Sequence, residues 1–409
     1  MPNKKRKSCN KPKMGKNDKR EIDEYKQKTN SWRLDCSDEL STFSDHIIDD
    51  SGDKEVSEFS INSILQDDLL EQILVYLPIA SMLRAGLVCK KWREITTSKR
   101  FLLNSSQTVP QKPWYFMPND DYVQSWYAYD PILQKWQRID FLDMMERFCD
   151  SSDGLVCYRN KNEIHVCNPI TRETKKLPRL TYFGRPLLTN ISVNQRSHNY
   201  IVSVLTCQQV TGSREELSFQ VYDSATMSWS ASQMEVLRGI SGHEGVICNG
   251  VIYFLVRTIH ISRGTCQFGL FAYNCSSDLS SHGELLNTFI PLPCSDICGL
   301  MNLKGKLIIV AAIGRSGNEE LDFGFSIWLL KGKDWQEISR ITHTCFGNSD
   351  KAFRCSGAGD LIYIRAYLRP QIVVFDMKLK QWKDCQKCPM GVGDFYNGFC
   401  FQPRLDISP

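Results

Sequence analysis

Residues 65–95 read LQDDLLEQILVYLPIASMLRAGLVCKKWREI. Leu65, Leu69, Leu70, Ile73, Leu74 and Leu77 recur at helical spacing, which predicts an amphipathic helix. Asp67, Asp68 and Glu71 stand near its start, where acidic side chains suit the helix dipole. Pro78 stops this helix and can open the next, because proline fits a first turn. A second helix follows through Ile79, Met82, Leu83, Leu87 and Val88, and a third, short one carries Trp92 and Ile95. Three short helices over residues 59–104 are too little chain to bury that apolar surface alone. The module is therefore expected to be completed by a partner.

Upstream, residues 1–58 hold few apolar side chains and no sustained period, so a disordered tail is expected. Its first 20 residues carry nine Lys/Arg and one Asp, and residues 21–60 carry four Lys/Arg and twelve Asp/Glu. The net +4 of the whole chain therefore resides in the remainder, which is only weakly basic and implies no nucleic-acid partner. Lys4, Lys5, Arg6 and Lys7 form a cluster of the kind read by nuclear import, or simply a solvated basic tail. The longest uninterrupted apolar run, Leu307 to Ile313, is far short of the ~20 residues of a membrane helix. No apolar stretch follows the charges of MPNKKRKSCN, so a secretory signal is not expected and an intracellular protein is. The expected location is nucleus, cytoplasm or both.

Downstream of residue 110 the pattern becomes short β runs, among them Tyr200 to Leu205, Val251 to Val256, Leu307 to Val310 and Ile372 to Phe375. A repeat runs through them: a strand ending in Asp or Asn, with Trp six residues later. Asp130 stands with Trp136, Asp223 with Trp229 and Asp376 with Trp382. Leu329 and Trp335 keep the frame without the acid, Asn168 has Thr174 in place of Trp, and Asn274 fits only at the strand end. Gly154, Gly250 and Gly305 each lead a strand upstream of such a copy. A period near 50 residues means small sheets that bury their faces only against one another, arranged around an axis. Residues 110–409 then hold about six units, with the four tryptophans as core between sheets. The inter-strand segments 181–197 and 257–267 are candidates for target contact.

Seventeen cysteines scatter from Cys9 to Cys400 and read as reduced, space-filling thiols. Cys385/Cys388 and Cys294/Cys298 are the closest pairs, but no histidine lies within forty residues of Cys385 or Cys388, so no metal is expected. Seven histidines stand singly, and no nucleophile motif or phosphate loop occurs. Neither a catalytic residue nor a cofactor is expected.

The segment 65–95 resembles an F-box. The matching frame is the opening Leu, the acidic pair, Ile73-Leu74, Leu77-Pro78, Leu83, Val88-Cys89 and Trp92, with Gln66 where F-boxes usually carry proline. The remainder resembles a degenerate kelch propeller that lacks the double glycine. Together with Lys112–Met117, Tyr127–Pro131 and the end Gly398–Leu405, the chain is similar to plant F-box/kelch-repeat proteins of the Hawaiian skirt type. The resemblance implies a multidomain chain: a disordered tail (1–58), a small all-α F-box of three helices (59–104) and an all-β kelch-type propeller of about six blades (110–409). It implies a substrate receptor that performs no bond chemistry. The F-box would bind the Skp adaptor of a cullin–RING ubiquitin ligase, and the propeller would capture the protein to be ubiquitylated, in plant developmental control.

On this resemblance the adaptor-contact candidates are Leu65, Gln66, Leu69, Ile73, Leu77, Pro78, Leu83, Val88, Cys89 and Trp92. Two readings stand for each apolar one, an interface anchor or a side chain packing the helical core.

Overall fold

The computed structural model describes residues 66–109, 111–118, 125–140, 147–181, 184–211, 214–237, 245–260, 265–274, 284–286, 294–313, 324–342, 353–366, 371–389 and 398–409. The tail 1–58, its basic cluster Lys4–Lys7 and Leu65 lie outside them. Among the described residues four helices come first: α1 (Asp67–Leu74), α2 (Ile79–Ala85), α3 (Lys90–Thr97) and α4 (Lys99–Thr108). Three had been expected. The fourth exists because Ser98 takes extended backbone, ends α3, and accepts a hydrogen bond from the Phe101 N–H as the cap of α4.

Six four-stranded antiparallel blades follow. Blade 1 comprises Trp114–Pro118, Ser125–Asp130 and Lys135–Asp140, with Phe399–Phe401 as its inner strand. Blade 2 comprises Arg147–Ser152, Leu155–Asn160, Glu163–Cys167 and Thr174–Lys176. Blade 3 runs through Arg185–Val193, Tyr200–Thr211, Arg214–Asp223 and Ser228–Leu237. Blade 4 has Gly245–Cys248, Val251–His260, Thr265–Asn274 and Glu284–Leu286. Blade 5 has Cys294–Leu303, Lys306–Ile313, Gly324–Lys331 and Asp334–Thr342, and blade 6 has Phe353–Ala358, Leu361–Ala366, Ile372–Asp376 and Gln381–Asp384. Most of 181–197 is thus the inner strand and first turn of blade 3, and described parts of 257–267 extend a hairpin of blade 4. These segments were expected as loops; their alternation is concealed by Pro186, Asn190 and the polar ends of the hairpin.

The repeat read from the sequence does structural work in blades 1, 2, 3 and 6. The Asp130 carboxylate accepts from the N–H groups of Ile132 and Leu133, and Asp376 does the same for Lys378 and Leu379. Asn168 likewise receives Ile170 and Thr171. The side chain thus substitutes for a backbone turn. Six residues on, Trp136 packs on Tyr129 at 5.4 Å and Trp229 on Tyr222 at 5.4 Å. Each indole N–H then reaches the preceding blade: Trp136 donates to the Gln386 carbonyl, Trp229 to that of Pro178, and Trp382 to Ser339 Oγ. Blade 5, which lacks the acid, makes this connection with a two-residue hairpin at Gly332-Lys333, where Gly332 has φ +62°.

Apolar clusters fill the seams in turn, from Val156 and Phe116 between blades 1 and 2 round to Tyr115 and Tyr363 between blades 6 and 1. Cys385, Cys388 and Cys400 belong to this last seam, and burial pushes the Cys385 thiol up to about 12. These cysteines act as small hydrophobes.

Closure comes from the far end of the chain. Phe399–Phe401 pairs antiparallel with Trp114–Phe116, and Phe399 stacks on Phe148 of blade 2 at 4.1 Å. Cys400 N–H donates to Ser356 of blade 6, and its carbonyl accepts from Ser151 of blade 2. Removal of residues 398–409 would strip two fully buried phenylalanines, each worth roughly 2 kcal/mol, and bare a strand edge. That truncation is expected to aggregate or lose its cooperative thermal transition by circular dichroism. A soluble truncation with an unchanged melt would contradict the closing role.

Asp150 gives a second test. Its half-buried carboxylate accepts from Asn190 Nδ2 and from Ile191 N–H at 3.0 Å, joining blade 2 to blade 3. Burial raises its pKa to about 7, against the backbone hydrogen bonds that lower it. The folded protein therefore keeps this proton between about pH 4 and 7, where the unfolded chain has lost it, and this contribution to stability falls as pH rises through that window. Asp150→Asn retains the acceptor oxygen and removes the titration. Its melting temperature is expected to gain on the wild type steadily from pH 5 to pH 8; parallel curves would refute the assignment.

Candidate functional site

The helical module has two apolar sides. The inner side packs Leu70, Leu74, Val75, Met82, Ala85 and Phe101 together, with Leu77, Trp92 and Ile95 partly buried against them. Ion pairs hold α1 to its neighbours, with Asp67 on Lys91 at 2.6 Å and Glu71 on Arg100. The short α2 then turns a second edge to the propeller. Ile79 and Ala80 enter the core between blades 1 and 2 beside Trp114, Phe116 and Ile170, and Leu83 packs on the same cluster. The Ile79 N–H donates to Gln111 Oε1 at 3.2 Å, and Arg84 Nη2 donates to Gln137 Oε1 at 2.9 Å. The partner expected for the small module is thus supplied in part by the same chain.

The C-terminal tail completes this joint. Leu405 touches both the helical core and the blade 1–2 core, while Ile407 inserts between blades 2 and 3. Asn168 Nδ2 donates to the carbonyls of Arg404 and Ile407. Gly154 permits the close approach: its φ is +91°, and a Cβ there would lie 2.7 Å from Arg404 Cβ.

What remains uncovered is the other side of α1 and the turn before α3. Leu69, Ile73, Tyr76, Leu87 and Val88 are between 45% and 66% exposed. A large apolar group this open is unusual on a module that already has a core. Of the sequence candidates, Leu69, Ile73 and Val88 lie on this surface and Gln66 is exposed at the start of α1. Pro78 and Cys89 are half-buried beside it, and Leu77, Leu83 and Trp92 are directed into one core or the other. Tyr76 and Leu87 were not singled out from the sequence. Tyr76 falls two residues past the end of α1, and Leu87 was read as part of a longer second helix; α2 in fact ends at Ala85.

Comparison with known proteins gives the same two parts. Residues 63–104 match the F-box domain model, and residues 124–390 match that of the F-box associated beta propeller domain. The chain belongs to the F-box proteins with an F-box associated propeller. An F-box/kelch-repeat protein of Arabidopsis thaliana is 43% identical over 383 residues, covering 87% of this chain and 92% of the relative. F-box only protein 13 of the same plant is 24% identical, covering 86% of each chain. F-box only protein 6, also from Arabidopsis, is 24% identical over 80% of this chain and 70% of its own. In this F-box protein the exposed apolar surface belongs to the F-box, and the propeller lies behind it.

The two sides of the helical module should respond differently to truncation. Met82→Ala removes a fully buried side chain and is expected to cost about 2–5 kcal/mol. Ile73→Ala should stay within about 0.5 kcal/mol, because the residue is open to water. Urea unfolding of both variants checks this; equal losses would mean that Ile73 is a core residue.

Proposed function

We propose that this F-box protein is the substrate-recognition subunit of an SCF (Skp–cullin–F-box) ubiquitin-protein ligase. The observation that carries the reading is the uncovered apolar surface of Leu69, Ile73, Tyr76, Leu87 and Val88, on a module whose other edge is fixed to a propeller. A helical partner can lay its own apolar face against such a surface, and desolvation of a few anchors supplies the binding energy. The partner is a Skp-type adaptor, through which the cullin and RING subunits are recruited. The propeller captures a target protein for ubiquitylation and proteasomal degradation. The chain itself is a non-catalytic receptor and takes no cofactor, metal, nucleic acid or membrane. Its setting is plant developmental control in nucleus, cytoplasm or both, with Lys4, Lys5, Arg6 and Lys7 as the import signal.

Two measurements test this. Leu69→Asp together with Ile73→Asp should weaken capture by a purified Skp-type adaptor at least about a hundredfold, since an uncompensated charge in a desolvated contact costs ~3 kcal/mol or more. Both positions are exposed in the free protein, so its melt should be unchanged. In cells, target turnover should slow when the wild type is replaced by the same variant at equal level. Turnover equally fast with either form would leave an interaction scaffold in place of a ubiquitin receptor.

A further inference from the structure

The seat of the F-box on the propeller holds polar groups that apolar packing does not explain. Ile79, Ala80 and Leu83 of α2 enter the core between blades 1 and 2. In blade 1 the register sets Ala128 against both Phe116 and Gln137, and Asp130 against Lys135. Side chains alternate along a strand, so Asp130 and Gln137 share the face of Ala128, which belongs to that core. They are diagonal neighbours across the strand pair. Trp114 stands two residues from Phe116 on the same face, and the register continued by one residue brings it to Asp130. All three are buried, Asp130 completely.

Each of these three side chains keeps one polar atom without a hydrogen-bond partner: Asp130 Oδ2, Gln137 Nε2 and Trp114 Nε1. Arg84 Nε of α2 is a fourth. The other groups of the same side chains are committed. Asp130 Oδ1 accepts from the Ile132 and Leu133 amides, and Gln137 Oε1 accepts from Arg84 Nη2 at 2.9 Å. Three donors and one carboxylate oxygen are thus left where α2 meets blade 1. Buried polar atoms without partners destabilise a fold, and apolar side chains in these places would avoid that loss. Arg84 is the only charged residue of α2. Burial raises the Asp130 pKa, whereas the two turn amides and the Arg84 charge lower it, so Arg84 and Asp130 are coupled across the joint.

Apolar contact has no direction, so Ile79, Ala80 and Leu83 alone would let a two-turn helix roll on the seam. A guanidinium bonded to Gln137 and drawn towards Asp130 has a preferred direction. We propose that Arg84 is the positioning residue of the receptor: it fixes the angle at which the F-box, with Ile73 and Val88, is held over the propeller. The proposal rests on the receptor reading and adds the residue that sets its geometry. Arg84 is not part of the exposed apolar surface, so adaptor binding and positioning are separable.

The test uses the full chain bound to its Skp-type adaptor. Spin labels enter at Asn104 of α4 and Lys331 of blade 5, both exposed, as non-natural amino acids because the chain carries seventeen cysteines. Their separation is read by double electron–electron resonance. Arg84→Met should broaden the distance distribution or shift its maximum by more than about 2 Å, the scale of a domain rearrangement. Arg84→Lys keeps the charge and should recover part of the wild-type distribution. Arg84→Met leaves the Asp130 carboxylate buried without its cation, so its melting temperature should fall. Arg84→Met with Asp130→Asn should regain that melting temperature and keep the altered distribution, which separates position from stability. If the single variant fails to fold, the double variant decides. A folded double variant with the wild-type distribution overturns the proposal. Adaptor affinity should stay within about twofold in every form, and a larger loss overturns the proposal by making Arg84 an adaptor contact. Target half-life is followed in parallel. A distribution that depends on Arg84, with turnover equally fast in the Leu69→Asp and Ile73→Asp form, sinks the receptor reading alone; turnover that needs that surface, with a distribution indifferent to Arg84, sinks this proposal alone.

Discussion

The pairing of Phe399–Phe401 with Trp114–Phe116 joins chain positions almost 300 residues apart, and both ring closure and the seating of the F-box depend on it. Without that strand, blade 1 would have three strands, an open edge and no inner wall against blades 6 and 2. With it, each blade has two neighbours and blade 1 has its fourth, inner strand. The same strand fixes where the chain goes next. From Phe401 the tail passes under Gly154, is held by Asn168, and delivers Leu405 to the underside of the F-box. Ring closure and F-box placement are thus consequences of one segment.

This coupling explains why the F-box can be so small. Four short helices have apolar residues on more than one side, and a single internal core cannot cover them. The chain resolves this by giving Ile79, Ala80 and Leu83 to the propeller and leaving Leu69, Ile73 and Val88 in water. The division follows from helix geometry. Within α2, Met82 and Ala85 point one way and Ile79, Ala80 and Leu83 another, so a single two-turn helix seals the module to two different cores.

Much of this was legible before any coordinates. Helical spacing placed α1 and α2, and the Asp-to-Trp interval of six residues marked the third and fourth strands of blades 1, 3 and 6, because the Asx turn and the stacked indole each require their residue type. The fourth helix was missed because Ser98 sits inside a run with no proline or glycine to announce a break. The sorting of the F-box candidates was also hidden. Leu83 and Ile73 look alike in sequence, and only the position of the propeller decides which one is covered. The family match itself ends at residue 390 and begins at 124, so both strands that close the ring lie beyond it.

Cross-strand partners far apart in the chain were hidden for a different reason. Arg147 and Arg159 are twelve residues apart and meet only through the strand register, which a bulge between Phe148 and Asp150 shifts. Arg354 and Arg365 meet in the same way without a bulge. Charge totals conceal such pairs, because acidic residues elsewhere, committed to their own partners, bring the sum near neutral. A sheet tolerates like charges across its strands when water or a bound anion screens them. The F-box is attached through two packed cores, one of its own and one between blades 1 and 2. A packed joint transmits position, so a protein held by the propeller would stand at a fixed distance from whatever engages Ile73 and Val88. That fixed spacing is what the proposed receptor would contribute to a reaction carried out by its partners.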